Sequence, residues 1–313
     1  MKCFYLGYFS AIGVYFPYFG LYLGTVGLSG TQIGLIASIL PFASMVMPPL
    51  WGVFSDRYGW RKRLLMIALL GAMSTSFLLW LIAHAFVPLL LLMLGFALVV
   101  SPVIPLADAM TLQWMNQHGG SYGTIRIYGS LGFLIVAIAS GAILNAIGIL
   151  SFFLLLSIVF CVPFLASLFM PDHRQVSMAR SSSRTFVSLF RDRVLLLFLL
   201  LCMVGYGTFA SYNTFFGLYV HGLGVDTTAI GFASGLATLS ELPTMMLSGF
   251  LMQRLGVKWL LLIGLGIAVL RWFAYATFTN YPVLFAFTLL HGISFASFYI
   301  AAITFIDRRV PTP

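Results

Sequence analysis

The chain has 313 residues, of which 61% are hydrophobic and 7% charged, with a formal net charge of +9 and a mean hydropathy of +1.05. A water-soluble domain carries roughly a quarter charged residues, so this composition excludes a soluble enzyme; its natural solvent is lipid. The positive charge forms no basic domain suited to nucleic acid. It lies in short clusters between apolar runs, as charges beside a membrane do.

Ten apolar runs follow one another: 4–23, 31–53, 64–83, 87–114, 125–144, 150–170, 194–219, 230–252, 259–278 and 283–306. Each is long enough to cross about 30 Å of hydrocarbon as a helix. The fourth is expected to tilt or break near Pro102 and Pro105. None alternates as outer-membrane strands do. The first run is too long for a signal segment and lacks a small-residue cleavage site, so it reads as a retained span. The predicted fold is therefore an all-α membrane bundle of about ten transmembrane helices. Residues 1–170 form an N-terminal half of six, 171–193 a central loop, and 194–313 a C-terminal half of four. Within the loop, Phe186, Leu189 and Phe190 fall at helical spacing among arginines; a short interfacial helix and a linker fit equally. Cys3, Cys161 and Cys202 show no pairing or metal spacing and read as packing residues.

Basic residues set the orientation. Arg57, Arg61, Lys62 and Arg63 follow the second run. Arg174, Arg180, Arg184, Arg191 and Arg193 follow the sixth, Arg254 and Lys258 the eighth, and Arg308 and Arg309 the tenth. Alternating spans bring all of these to one side with Lys2, and the opposite loops carry no Lys or Arg. The N-terminus, central loop and C-terminus are thus expected in the cytoplasm.

An internal repeat appears after the second and eighth runs. Gly52, Asp56, Arg57, Gly59 and Arg61 are matched at identical offsets by Gly249, Gln253, Arg254, Gly256 and Lys258. This argues for two homologous halves starting in the same orientation. If each has six spans, the second lacks two. The stretch GVFSDRYGWRKR, from Gly52 to Arg63, resembles the loop signature of the major facilitator superfamily. GVYFPYFGLYL in the first span and YGTIRIYGSLGF, Tyr122 to Phe133, are similar to the lactose permease and phenylpropionate permease group of proton symporters. The resemblance covers nearly the whole chain. It implies that the loop motif is a cytoplasmic gate latching the halves, with an eleventh helix as partner.

Ionisable side chains within spans are costly, by about 2.5–3.5 kcal/mol or more each, and mark function. Asp108 and Arg126 lie at similar depth on neighbouring antiparallel spans and can pair. Glu241 falls near the bilayer midplane, and Arg271 and His291 share a depth on the ninth and tenth spans. Arg126 is expected to bind substrate through its planar fork of donors, with Asp108 holding it or binding alongside. Glu241 is the expected proton carrier, switched by a moving Arg271, with His291 relaying or hydrogen-bonding. The other reading of all five is structural ion pairing. The resemblance implies the same residues: Asp108 and Arg126 match the permease's sugar-binding acid and arginine, and Arg271 and His291 its ninth-span arginine and tenth-span histidine. Two departures count. The permease's proton-carrying acid falls on Ser294, and Glu241 lies about one turn from its eighth-span acid. The small-residue pairs Gly20/Gly24 and Gly231/Gly235 read as helix contacts.

No HExxH, no GxSxG and no nucleophile–base pair occurs, so the chain is not expected to be an enzyme or to hold a cofactor or metal. The expected function is proton-coupled uptake of a small organic substrate by alternating access across a bacterial inner membrane. The buried arginines and the resemblance point to an aromatic carboxylate of the 3-phenylpropionate kind. A sugar or nucleoside symporter, and an inactive truncated transporter, are the alternatives.

Overall fold

The computed structural model describes residues 1–82, 85–119, 122–171 and 192–309, without the side chains of Asp56, Asp307 and Arg308. The loop carrying Phe186, Leu189 and Phe190 lies outside the described residues. Among the described residues every regular element is helical.

Helix α1 spans Lys2–Thr25 and α2 Gly30–Tyr58. Ser29 and Gln32 start α2 with reciprocal side-chain-to-backbone bonds, which satisfy two otherwise orphaned N–H groups. Helix α3 is Arg61–Ile82, α4 Phe86–Val100 and α5 Val103–His118. The fourth apolar run thus breaks at Ser101 and Pro102, as its prolines predict. Pro105 falls in the first turn of α5, where a missing N–H costs nothing. Helix α6 is Tyr122–Ile147, and a 3₁₀ turn, Ile149–Ser151, leads into α7, Phe152–Leu168. Then come α8 Arg193–Gly222, α9 Thr227–Met246, α10 Ser248–Thr277, α11 Tyr281–Thr288 and α12 His291–Arg309. The tenth apolar run is therefore also broken, between Thr288 and His291, with no proline to announce it. The fourth and tenth apolar runs are both discontinuous, and an ionisable residue follows each break.

Eight helical stretches among the described residues are long and apolar enough to cross a membrane. Helices α1 and α9 fall outside that set: α1 is rich in Gly and Tyr, and α9 in Gly, Ser and Thr with Glu241. The repeat has a backbone counterpart. Gly59 ends α2 at φ 63°, and Gly256 interrupts α10 at φ 71°. Both adopt the left-handed region that only glycine enters cheaply. Gly52 and Gly249 serve differently: a Cβ on either meets nothing within 4 Å.

The chain forms two compact units. Of the described residues, the first takes 1–171 with 214–221 and 226–232. At its centre α1 packs on α6 and α7, while α3 packs on α7 and α4. Between lipid-solvated helices there is little hydrophobic drive, so small residues and polar links carry the contact. A Cβ on Gly13 would lie 2.8 Å from the Phe133 carbonyl oxygen, and one on Gly132 would run into that of Leu6. The Tyr18 hydroxyl donates to the Ala137 carbonyl at 2.7 Å. Gly20 sits against Thr214, Gly24 against Leu218 and Gly231 against Tyr18, all within this unit. The second unit holds 192–213, 222–225 and 233–309 of the described residues. Here α10 packs along α12, and Phe198, Cys202, Phe209, Phe298 and Ala302 form a core. Cys202 and the partly buried Cys161 are packing residues, but Cys3 is exposed on α1.

Candidate functional site

Each unit carries one polar cluster inside its apolar helices. In the first, α1, α5 and α6 converge on Asp108. Its Oδ1 accepts from the Tyr5 hydroxyl at 2.5 Å and from the Tyr122 hydroxyl at 2.9 Å. The Thr111 hydroxyl lies 3.3 Å from that of Tyr5. Arg126 stands one helical turn beyond Tyr122, so both project from the same face of α6. Its guanidinium lies over the Phe9 ring, 3.8 Å from the centroid, and 5.9 Å from that of Tyr5. Gly129 makes this possible: a Cβ there would stand 2.7 Å from Phe9 and 2.8 Å from Nη1 of Arg126. Asp108 and Arg126 thus share one cluster, as expected, but no ion pair joins them among the described residues. Two tyrosine hydroxyls take one oxygen of Asp108, and a phenylalanine ring lies against the guanidinium.

In the second unit Glu241 and His291 meet, with Oε1 3.4 Å from Nε2. The imidazole is held between the rings of Tyr212 and Phe295, at 5.3 and 5.6 Å. Arg271 is 3% exposed. It donates from Nη1 to the Ser294 hydroxyl and from Nη2 to that of Tyr275, each at 3.2 Å. Its guanidinium faces the Tyr212 ring at 4.6 Å. Nε of Arg271 and Nδ1 of His291 are buried with no hydrogen-bond partner among the described residues, and no carboxylate there pairs with Arg271. A buried cation held by hydroxyls and two aromatic rings, with no carboxylate, is expensive in a low-dielectric interior. Arg271 and His291 do share a neighbourhood, through Tyr212 and Ser294. Ser294 serves as a hydroxyl ligand to the arginine.

The loop motif lies at the end of α2. The Asp56 side chain lies outside the described residues. Arg57 is exposed beside the Tyr58 ring. Arg61 donates to the Gln113 side chain at 3.1 Å, and Lys62 to the Leu168 carbonyl at 2.8 Å, placing a cation on the C-terminal end of α7. These two do more than anchor the chain to a charged surface; they tie α3 to α5 and α7. In the second unit Asp192 caps α8 by accepting from the backbone N–H of Val194 and Leu195. Arg309, ending α12, grips the same carboxylate through Nε at 2.6 Å and Nη2 at 3.0 Å. That guanidinium, with the two N–H donors, holds the half-buried Asp192 carboxyl at about 2, below the usual range.

Several of these side chains escaped sequence reasoning because an aromatic residue among 30 Phe and 14 Tyr carries no signal alone. Spacing from a charged residue does carry one. Tyr122 lies four before Arg126, Tyr275 four after Arg271, and Phe295 four after His291. Among the described residues no cluster of three or more His, Cys, Asp or Glu could hold a metal.

Two families of apolar helices, a repeated glycine-marked loop and ionisable groups held inside spans define a multi-pass transporter of the major facilitator kind. The chain belongs to the MFS_1 like family, whose model matches residues 1–313. It is 29% identical to the maltose permease of Geobacillus stearothermophilus, over 98% of this chain and 78% of that protein. It is 27% identical to the probable 3-phenylpropionic acid transporter of Escherichia coli (strain K12), over 97% and 81%. A crystal structure of the nucleoside transporter NupG (D323A mutant) superposes with a TM-score of 0.88 at 20% identity, covering 99% of this chain and 82% of that one; at that identity the likeness speaks for the fold alone. Its relatives are named as permeases and transporters, and the chain is a transporter, not an enzyme.

Proposed function

We propose that the protein takes up a small hydroxylated organic molecule, a sugar or a nucleoside, together with protons by alternating access. The observation that carries this reading is that Asp108 and Arg126 lie in one cluster without pairing. The second oxygen of Asp108 remains an acceptor, and the guanidinium remains a fork of donors. A cluster with one charge of each sign suits a neutral partner that both donates and accepts. Names such as maltose permease among its relatives support the same class. Aromatic carboxylate uptake is the second reading. It is favoured by Arg126 lying on Phe9, which offers a cation beside an aromatic face, and by the relative named as a probable 3-phenylpropionic acid transporter.

Glu241 carries the proton in this account. His291 hydrogen-bonds it, and Arg271, lacking a carboxylate partner among the described residues, competes for it as the cycle proceeds. The motif Gly52, Asp56, Arg57, Gly59 and Arg61 acts as a gate on the cytoplasmic side. The six spans of 1–170 and the spans of 194–313 are the two moving halves, joined by 171–193, with the N-terminus cytoplasmic and the protein in the bacterial inner membrane.

The test is uptake into proteoliposomes of maltose, uridine and 3-phenylpropionate under an inward proton gradient. Uptake of a neutral compound, lost in both Asp108→Asn and Arg126→Gln, supports the first reading. Uptake of the carboxylate alone, with Asp108→Asn fully active, replaces it by the second. Movement of none of the three overturns both.

A further inference from the structure

Two opposite charges within one apolar cluster attract strongly, because the low dielectric there amplifies their interaction. Asp108 and Arg126 nevertheless stay apart, and the contacts around them say what prevents collapse. Tyr5, from α1, and Tyr122, from the first turn of α6, both place their hydroxyls on the same carboxylate oxygen. Their rings meet edge to face, 6.2 Å between centroids at 86°, so the two hydroxyls converge from fixed directions. The guanidinium is held separately on Phe9, in the space that Gly129 leaves open.

We propose that Tyr5 and Tyr122 are positioning residues that hold Asp108 off Arg126, so that both charges stay open to substrate. Neither tyrosine needs to touch the substrate for this role. Their hydroxyls saturate one oxygen of the carboxylate and fix its plane. Without them the carboxylate is free to turn to Arg126, and the cluster closes on itself as an ion pair. The inference rests on the reading of Asp108 and Arg126 as substrate-binding, and extends it to the residues that keep the pair available.

The test compares the wild-type protein with Tyr5→Phe/Tyr122→Phe, which removes both hydroxyls and keeps both rings. The first readout is modification of Arg126 by phenylglyoxal, followed by peptide mass spectrometry, and needs no transport activity. The inference expects at least a roughly ten-fold slower reaction in the double variant, the factor that about 1.4 kcal/mol represents. Adding Asp108→Asn, which leaves nothing to pair with, should restore the wild-type rate; a merely structural role for the tyrosines would not. The second readout is transport, where KM should rise about ten-fold with the maximal rate per folded protein little changed. Equal labelling of Arg126 in wild type and double variant overturns the inference, whatever transport does. Unchanged substrate affinity in Arg126→Lys and Arg126→Gln overturns the underlying reading instead. If the double variant does not fold, Tyr122→Phe alone serves, with slower labelling expected and an unchanged rate refuting.

Discussion

The crossing of α1 and α6 brings Tyr5 and Phe9 beside Tyr122 and Arg126, and it depends on glycine. A Cβ on Gly13 would lie 2.8 Å from the Phe133 oxygen, 3.2 Å from the Ala137 nitrogen and 3.2 Å from the Phe133 Cα, where an ordinary contact needs 3.4 Å or more. These are backbone atoms of a continuous helix and cannot rotate away, so Gly13→Ala must part the helices by about 0.6 Å. Such overpacking costs about 1–3 kcal/mol. Against it stands the better helix propensity of alanine, worth up to about 1 kcal/mol. The net expectation is destabilisation by about 1–2 kcal/mol. Gly95, in α4, is the control: a Cβ there meets nothing within 4 Å, so Gly95→Ala has the propensity gain and no clash. Thermal unfolding in detergent, followed by circular dichroism, should place Gly13→Ala several degrees below wild type, at roughly 2–4 °C per kcal/mol, and Gly95→Ala level with it or above. A Gly13→Ala protein melting at or above wild type would refute the argument that backbone approach at this crossing sets the fold of the first unit.

Gly129→Ala should push Phe9 and the guanidinium apart and raise the substrate KM by about three- to ten-fold, a cation–π contact being worth about 0.5–2 kcal/mol; unchanged uptake kinetics would count against that contact. Glu241→Gln should abolish accumulation against a gradient while leaving substrate exchange at equal concentrations intact, checked by counterflow; loss of both would remove Glu241 from the proton role. Asp192 has a folded-state pKa below its ordinary value, so its contribution is complete above about pH 4 and is lost as pH falls towards 2. Stability of wild type should therefore drop across that window more than that of Asp192→Asn, measured by unfolding at pH 5, 3 and 2; parallel profiles would contradict the pairing with Arg309.

Much of the architecture was legible because lipid makes the rules simple: a span must be long, apolar and helical. The runs gave the helices, the prolines gave the break before Asp108, and the repeated glycines proved to mark left-handed turns at Gly59 and Gly256. The break before His291 was not legible, since Leu289 and Leu290 suit a continuous helix as well as a broken one. For the site, charge was informative and its partners were not. Placing Asp108 near Arg126 followed from depth alone, yet depth could not say whether they touch. The answer lay in Tyr5, over 100 residues away in the chain, and in Phe9, whose ring has no feature to distinguish it from the other phenylalanines. Ser294 shows the converse: read as the loss of an acid, it turns out to be the hydroxyl that holds Arg271.

The central claim, proton-coupled movement of a small hydroxylated molecule, is tested most directly by following external pH when sugar or nucleoside is added to proteoliposomes holding the protein without any imposed gradient. The account predicts external alkalinisation that accompanies substrate entry and disappears in Glu241→Gln. Substrate entry with no pH change in the wild-type protein would contradict it.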